Sequence, residues 1–352
     1  MVDMSDILNM VREGRLSEAT SSIQQHLSGN EAPKSSGTGP MKDVTPRARA
    51  LPEPGPATVK KARGKSVRPK RDAWAGKSRR PATEPSLPAG SHWLARDGDL
   101  PYRLFVPSAP NADAPLIVML HGCTQTPEDF AAGTAMHAAA EAAGAHVIWP
   151  EQSSRANMNR CWNWFEPAHQ GRSGEAARIV AIVEKVRDEI GGTRTVHAAG
   201  LSAGGAMAAI LGAHYPDVFA SVGIHSGLPA GSARDVASAF AAMGSGGRAG
   251  IALAVPAIVF HGTADRTVAF ANAAALLPDG KMPSDAFLRS DRIGGRQVSV
   301  ATVTIPGQSH PSELWEVAGL GHAWSGGNAA GSYADPEGPD ATAEMMRFFS
   351  AR

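Results

Sequence analysis

From residue 92 onward, short apolar runs alternate with segments in which apolar residues recur at helical spacing. The predicted strands are 100–106, 116–120, 145–149, 195–199, 220–224, 257–260 and 314–317, and the predicted helices are 127–143, 172–190, a segment ending near 214, and 340–349. Apolar strands separated by helices are typical of a mostly parallel sheet that is covered by helices on both faces. The alternation therefore predicts an α/β fold. It is interrupted at 280–312, where 298–305 alternates apolar and polar residues as an exposed strand does.

The chain of 352 residues is long enough for one large domain or two ordinary ones, and its composition changes near residue 92. Residues 1–28 carry apolar side chains at helical spacing, which predicts an amphipathic helical segment. This segment can pack on the main domain or on a second copy, or it can dock a partner or an insoluble particle. Residues 29–91 are rich in Pro, Gly, Ser, Lys and Arg, and such a segment is expected to be a disordered linker because it cannot bury enough apolar area. The folded domain is therefore predicted to be 92–352.

The formal net charge of +1 hides an uneven distribution of charged residues. The run 60–80 contains ten Lys and Arg residues and a single acidic residue, Asp72. Such a run is typical of a solvated basic linker, and it can also contact an anionic surface or a granule by releasing counterions. No nucleic-acid-binding module accompanies it, so specific recognition of a nucleic acid is not expected.

Several classes of protein are disfavoured by what the sequence lacks. The first fourteen residues contain two aspartates and no continuous apolar run, so no secretory signal is expected. The sequence by itself is that of a cytoplasmic protein, and the location is left open. No stretch approaches the roughly 18 apolar residues of a transmembrane helix. Two cysteines are too few for a disulfide-rich scaffold. No metal-ligand spacing, P-loop or dinucleotide fingerprint is evident, so neither a metal nor a cofactor is expected.

The pentapeptide Gly200-Leu-Ser-Ala-Gly204 follows the predicted strand 195–199 and precedes a predicted helix. This is the G-x-S-x-G pattern of a nucleophile elbow, in which a tight turn projects the serine from the edge of the sheet. The flanking glycines are needed because a Cβ at either position would clash with the neighbouring strand or helix. Ser202 is therefore the predicted nucleophile. A plain turn of small residues is the alternative, since Gly, Ser and Ala are abundant in this chain.

Two further residues follow in the order expected for such a fold, which is serine, then acid, then histidine. Asp265 comes directly after the predicted strand 257–260, at the carboxyl end where open α/β sheets place functional groups. Only His310 and His322 follow it. His322 lies in a glycine-flanked loop after the strand 314–317, so it is the predicted base, and Asp265 is predicted to orient it.

An oxyanion hole is predicted at the turn 120–125, which follows an early core strand. The backbone N–H of Cys123 would supply one donor, and the N–H of Ala203, next to the nucleophile, would supply the other. Such preorganised donors are worth about 3 kcal/mol each in the transition state. Four elements in the correct order predict a serine hydrolase.

The motifs of this chain are Leu120–Gln125, Trp149–Gln152, Cys161–Phe165, Gly200–Gly205, His261–Asp265 and Gly319–Trp324, in register over about 95–350. Together they resemble the poly(3-hydroxybutyrate) depolymerase esterase family, in its extracellular type 1 catalytic-domain group, which also includes feruloyl and acetyl xylan esterases. The resemblance implies an α/β-hydrolase fold and ester hydrolysis through an acyl-enzyme. It implies that Ser202, Asp265 and His322 form a catalytic triad. It also implies that Cys123 belongs to the oxyanion hole and forms a disulfide with Cys161.

The substrate implied by this resemblance is a short-chain polyhydroxyalkanoate, with a feruloyl ester, an acetyl xylan ester or a general short-chain ester as alternatives. Asn163, Trp164 and Trp324 are expected to line the site, because exposed tryptophans suit an apolar polyester; packing in the core is the alternative for each. In a reducing compartment the two cysteines would instead be free thiols. A separate binding or scaffold function remains open for 1–90.

Overall fold

The structure is a computed structural model that describes residues 85–192, 194–246, 250–277, 280–281 and 286–351. The predicted helical segment 1–28 lies outside the described residues, as does nearly all of the predicted linker 29–91. Among the described residues, no helix is both long and apolar enough to cross a membrane.

The strands are β1 (His92–Arg96), β2 (Tyr102–Val106), β3 (Leu116–Leu120), β4 (His146–Pro150), β5 (Val196–Leu201), β6 (Ser221–His225), β7 (Ala257–Gly262), β8 (Phe287–Ile293), β9 (Arg296–Val303), β10 (Ser312–Val317), β11 (Trp324–Ser325) and β12 (Ala334–Asp335). The described part of the chain forms a ten-stranded sheet in the order β1-β2-β4-β3-β5-β6-β7-β10-β9-β8, and β11 pairs with β12. The central strands from β4 to β10 are parallel, while antiparallel strands close both edges. This is the mostly parallel sheet that the sequence predicts.

The helices are α1 (Pro127–Thr134), α2 (Met136–Ala143), α3 (Gly174–Ile190), α4 (Ala203–His214), α5 (Val236–Ser245), α6 (Ala271–Ala275) and α7 (Ala341–Ser350). They cover both faces of the sheet. Successive side chains of a strand point to opposite faces, so those of the central strands are buried on both sides. In β3, Leu116, Val118 and Leu120 pack in the cluster that contains α3 and α4, while Ile117 and Met119 pack in the cluster that contains α1 and α7. The central strands therefore need apolar residues at every position.

The structure corrects some of the predicted elements. The single helix predicted over 127–143 is two helices, because Ala135 adopts a left-handed conformation (φ 51°) and its N–H caps α1 by donating to Ala131 O. Nothing in the alanine-rich sequence signals this break. The strands β1 and β8 and the helix α5 were not predicted, and in β8 the side chains are almost all exposed, so no apolar pattern marks it. The run 314–317 lies within β10, which pairs with both β7 and β9.

Candidate active site

Ser202 occupies the tight turn between β5 and α4, with φ 59° and ψ −118°. A positive φ is rare for a residue with a side chain, and it is found where a surrounding structure enforces it. The glycines on both sides make the turn possible: a Cβ on Gly200 would overlap the backbone of Gly204, and a Cβ on Gly204 would overlap the carbonyl oxygen of Leu120. The predicted steric role of these two glycines is thus confirmed.

The backbone around Ser202 is held by the neighbouring strand. Its N–H donates a hydrogen bond of 2.9 Å to the carbonyl oxygen of His225, the last residue of β6. Ala203 is the first residue of α4, so its N–H has no acceptor within the helix and lies at the positive end of the helix dipole. The turn therefore places a serine, and a backbone N–H without an acceptor in its own helix, at the carboxyl end of β5.

Asp265 and His322 are brought together by two different loops. Asp265 follows β7, and His322 lies between β10 and β11. The Nδ1–H of His322 donates to Oδ2 of Asp265 at 2.8 Å. The other carboxylate oxygen, Oδ1, accepts the N–H groups of Thr267 and Val268, each at 2.9 Å. The predicted acid is therefore fixed in one orientation, and it leaves Nε2 of the imidazole as the nitrogen that can accept a proton.

The environment of Asp265 favours its charged form. Burial raises the pKa of this carboxyl, but the hydrogen bond and charge of His322 and the N–H of Val268 outweigh it, so the pKa lies below its ordinary value. A second imidazole, His261, lies 3.6 Å from Oδ2, and its Nε2–H donates to Val268 O at 2.8 Å. A negatively charged acid can stabilise the imidazolium that forms when a histidine takes up a proton.

The predicted oxyanion turn after β3 is held by side chains that are themselves buried. Gln125 accepts the N–H of Gly122 at 2.9 Å through Oε1. Nε2 of His121 accepts the N–H of Gln152 at 3.1 Å, so its Nδ1 carries the proton and donates to Gly122 O at 2.8 Å. Burial lowers the pKa of His121 to about 4 and keeps the ring neutral. These contacts engage both the N–H and the carbonyl oxygen of Gly122, the residue before Cys123.

A disulfide joins Cys123 to Cys161, across a sequence separation of 38 residues. The bridge that the family resemblance implied is therefore present in the structure. It ties the oxyanion turn to the loop between β4 and α3, and the N–H of Thr124 strengthens this junction by donating to Asn159 O at 2.6 Å. The Cys123 backbone is consequently held by its own side chain.

Glu175, near the start of α3, is a buried carboxylate that the sequence pattern does not single out. Its Oε1 accepts hydrogen bonds from Gln152 Nε2 at 2.6 Å and Asn163 Nδ2 at 2.7 Å, and its Oε2 accepts the N–H of Asn163 at 2.7 Å. Gln152 Nε2 also donates to Cys161 O at 3.1 Å. An acid at a helix start has the appearance of an ordinary dipole partner, so its burial could not be foreseen. Glu175 organises the loop that the disulfide attaches to the oxyanion turn.

The expectation of exposed tryptophans beside the serine is wrong. Trp164 is 5% exposed and Trp324 is 1% exposed. The Trp324 ring packs against Phe130, and its Nε1–H donates to Thr342 Oγ1 at 3.0 Å, because an indole that closes the core needs a partner for its N–H. Asn163 is also buried, with its amide bonded to Glu175. A substrate contact through Asn163 stays a prediction.

The described residues contain no cluster of three or more His, Cys, Asp or Glu side chains that could hold a metal ion. The candidate site comprises a serine on an elbow, a histidine–aspartate pair, and a turn after β3 that a disulfide and buried side chains hold in place. The second contact of the triad, between Ser202 Oγ and His322 Nε2, stays a prediction.

A mostly parallel sheet with a serine elbow after β5 and a paired acid and histidine after β7 and β10 is the α/β-hydrolase architecture. The chain belongs to the esterase PHB depolymerase family, whose model matches residues 100–290. The predicted family is thereby confirmed.

The relatives of this chain include both a polyhydroxyalkanoate depolymerase and a feruloyl esterase. The chain is 38% identical over 200 residues to poly(3-hydroxyalkanoate) depolymerase C of Paucimonas lemoignei, covering 52% of this chain and 48% of that protein. It is 33% identical over 139 residues to feruloyl esterase B of Thermothelomyces thermophilus, covering 39% and 47% respectively. The chain thus spans about half the length of the curated relatives it matches. An acetyl xylan esterase from Aspergillus awamori shares the fold, with a TM-score of 0.52 and 18% identity over 66% of this chain and 93% of that one.

Proposed function

We propose that the protein is a serine esterase that hydrolyses carboxylic esters through an acyl-enzyme. Ser202 attacks the ester carbonyl, His322 takes the serine proton and returns it to the leaving alcohol, and Asp265 stabilises the imidazolium. The N–H groups of Cys123 and Ala203 stabilise the oxyanion. A water molecule then attacks the acyl-enzyme: His322 takes a proton from the water and passes it to Ser202 Oγ as the bond to the serine breaks and the acid is released. Base catalysis of this kind contributes a factor of about 10² to 10⁴ to the rate.

One observation supports this proposal above the others, namely the 2.8 Å hydrogen bond between His322 and Asp265 at the same sheet edge as the Ser202 elbow. A histidine that only filled space would not need, on its Nδ1, a buried carboxylate that two backbone N–H groups hold in place. A strained serine turn would be a cost without a use, since glycine would relieve it. The pairing and the strain are together those of a nucleophile and its base.

The test is hydrolysis of p-nitrophenyl butyrate by the full chain and by its Ser202→Ala variant. We expect the variant to lose at least about 10³-fold in kcat. Ser290→Ala is the matched control, because Ser290 is exposed on β8 at the far edge of the sheet. A fluorophosphonate should label Ser202 and no other serine in a peptide map. Full activity of Ser202→Ala would show that another group performs the reaction.

For the substrate we propose a short-chain polyhydroxyalkanoate, on the strength of the 200-residue match to a depolymerase. The match to feruloyl esterase B supports an aromatic ester as the second candidate. Turnover of amorphous poly(3-hydroxybutyrate), methyl ferulate and acetylated xylan, each with Ser202→Ala as the blank, separates these candidates. Release of hydroxybutyrate at a higher kcat/KM than that for ferulate is the expected result; the reverse order would favour the second candidate.

For the basic run 60–80 we propose contact with an anionic surface, such as that of a polyester granule. Ten positive charges against one negative charge support an attraction that salt should screen. The test compares sedimentation of the full chain with polyhydroxybutyrate granules, at low and high salt, with that of a variant in which the ten Lys and Arg residues are Gln. We expect the variant to lose granule binding while hydrolysing p-nitrophenyl butyrate normally. Equal binding by both chains would rule out this contact.

A further inference from the structure

We propose that His225 is a positioning residue that holds the loop carrying His322 against the Ser202 turn; this inference rests on the proposed function. His225 itself touches no reacting atom. Its role is to set the distance between the nucleophile and the base, which come from separate elements.

The position of His225 in the sheet suits this role. It is the last residue of β6, and it pairs in register with Leu201, which precedes the nucleophile, and with Phe260 of β7. Asp265 follows β7. His225 therefore lies between β5, which precedes the serine, and β7, which precedes the acid.

His225 makes one hydrogen bond toward each half of the site. Its carbonyl oxygen accepts the N–H of Ser202 at 2.9 Å. Its ring Nε2 accepts the N–H of Ser325 at 3.0 Å, three residues beyond His322. Ser325 is fully buried, and its Oγ donates to Pro339 O at 2.8 Å. A single residue thus links the nucleophile turn to the segment that follows the base.

The ring of His225 is also fixed in its plane. It stacks on Phe260 with 12° between the planes, and on Trp324 with 25° between the planes and 5.1 Å between the ring centroids. The Trp324 indole is anchored in turn through Thr342, whose Oγ1 donates to Thr134 O at 2.6 Å. A ring held in this way has little freedom to follow a moving loop, so the loop must follow the ring.

The chemistry of the contact requires a neutral imidazole. The Ser325 N–H can only donate, so Nε2 of His225 must be unprotonated. Burial, followed by the charges of His261 and His322, lowers the pKa of His225 to about 3. The ring is consequently neutral, and Nε2 a hydrogen-bond acceptor, at any pH well above 3. It does not compete with His322 for the serine proton.

The decisive variants are His225→Phe and His225→Gln. Phenylalanine keeps the stacked ring and removes the acceptor, whereas the glutamine Oε1 can reach the place of Nε2. We expect His225→Phe to lower kcat for p-nitrophenyl butyrate by about 10- to 100-fold, since a displacement of about 1 Å in a reacting group costs up to about 10²-fold. KM should change less than twofold, and His225→Gln should recover most of kcat.

The matched control is His197→Phe. His197 is also fully buried and stacks on a phenylalanine, with 4.6 Å between the ring centroids, but it lies near the start of β5, at the opposite end from the serine. This variant should keep its kcat per active serine. Rates are divided by the number of serines that a fluorophosphonate finally titrates, so that a loss of folded protein does not count as a loss of rate.

A readout beyond turnover is the rate constant of fluorophosphonate labelling, which needs the same base and should fall in parallel with kcat in His225→Phe. If His225→Phe does not fold, His225→Asn replaces it, because asparagine is too short to reach Ser325 and should be slower than His225→Gln. A kcat per titrated serine within twofold of the parent for His225→Phe, or equal rates for the Asn and Gln variants, would overturn the positioning role. Failure of the proposed function is seen separately, as activity in Ser202→Ala.

Discussion

Removal of the Cys123–Cys161 disulfide should lower both the stability and the rate. The perturbation is the double variant Cys123→Ser, Cys161→Ser, which leaves no free thiol. The bridge closes 38 residues of chain. In the chain-entropy treatment a loop of this length contributes about 4 kcal/mol to the free energy of unfolding. For a domain of this size, that loss corresponds to a fall in the melting temperature of about 8 to 15 °C.

The effect on rate follows from where the bridge is attached. The Cys123 N–H is a proposed oxyanion donor, and the disulfide is what fixes its backbone to the loop organised by Glu175. Loss of one well-placed oxyanion donor costs about 10²- to 10³-fold in kcat. The hydrogen bond from Thr124 to Asn159 remains and should retain part of the geometry. We therefore expect a loss of about 10- to 100-fold in kcat with little change in KM.

The assay is urea unfolding followed by tryptophan fluorescence, together with p-nitrophenyl butyrate kinetics on both proteins. Reduction of the parent protein with dithiothreitol should reproduce the kinetics of the double variant, and reoxidation should restore them. A loss of less than about 1 kcal/mol together with an unchanged kcat would refute the reasoning on both counts, because neither the loop closure nor the turn would then depend on the bridge.

Three other predictions concern residues near the site. Gly204→Ala places a Cβ on the Leu120 carbonyl oxygen, so the free energy of unfolding should fall by at least about 3 kcal/mol and soluble yield should drop. Acidification from pH 6.5 to 4 should lower the free energy of unfolding by about 1.4 kcal/mol per pH unit for each of His121 and His225, because these imidazoles bind a proton in the unfolded chain but stay neutral when buried. Urea midpoints at pH 7, 6 and 5 measure this pH dependence. His225→Gln should remove the part of it that is due to His225. Glu175→Gln turns an amide N–H₂ toward groups that are themselves donors. Urea unfolding should then show a stability lower by about 1 to 3 kcal/mol, and ester kinetics a kcat lower by about tenfold. Glu184→Gln, at an exposed position of the same helix, should change neither quantity.

The parts of the site that follow strands could be predicted, and those that depend on loop contacts could not. Ser202 and Asp265 come directly after apolar strands, so local sequence places them at one edge of the sheet. The burial of Trp324 was not predictable, because it depends on Phe130 and Thr342, which are distant in the sequence. The same is true of Glu175, whose carboxylate is indistinguishable in sequence from a solvated acid in the first turn of a helix.

The sheet alone cannot explain how the site would keep its geometry. Ser202 directly follows β5, whereas Asp265, His322 and Cys123 lie in the loops that follow β7, β10 and β3, and loops are the more mobile parts of a domain. The loops of His322 and Cys123 are each held from outside by a buried polar group: the imidazole of His225 accepts from the segment after the base, and the Glu175 carboxylate binds the loop that the disulfide joins to the oxyanion turn. Both groups are acceptors surrounded by backbone or amide donors, so loss of either would leave buried donors unpaired. Substitutions outside the triad should therefore cost rate in proportion to the loop contacts they remove, and not in proportion to their distance from Ser202.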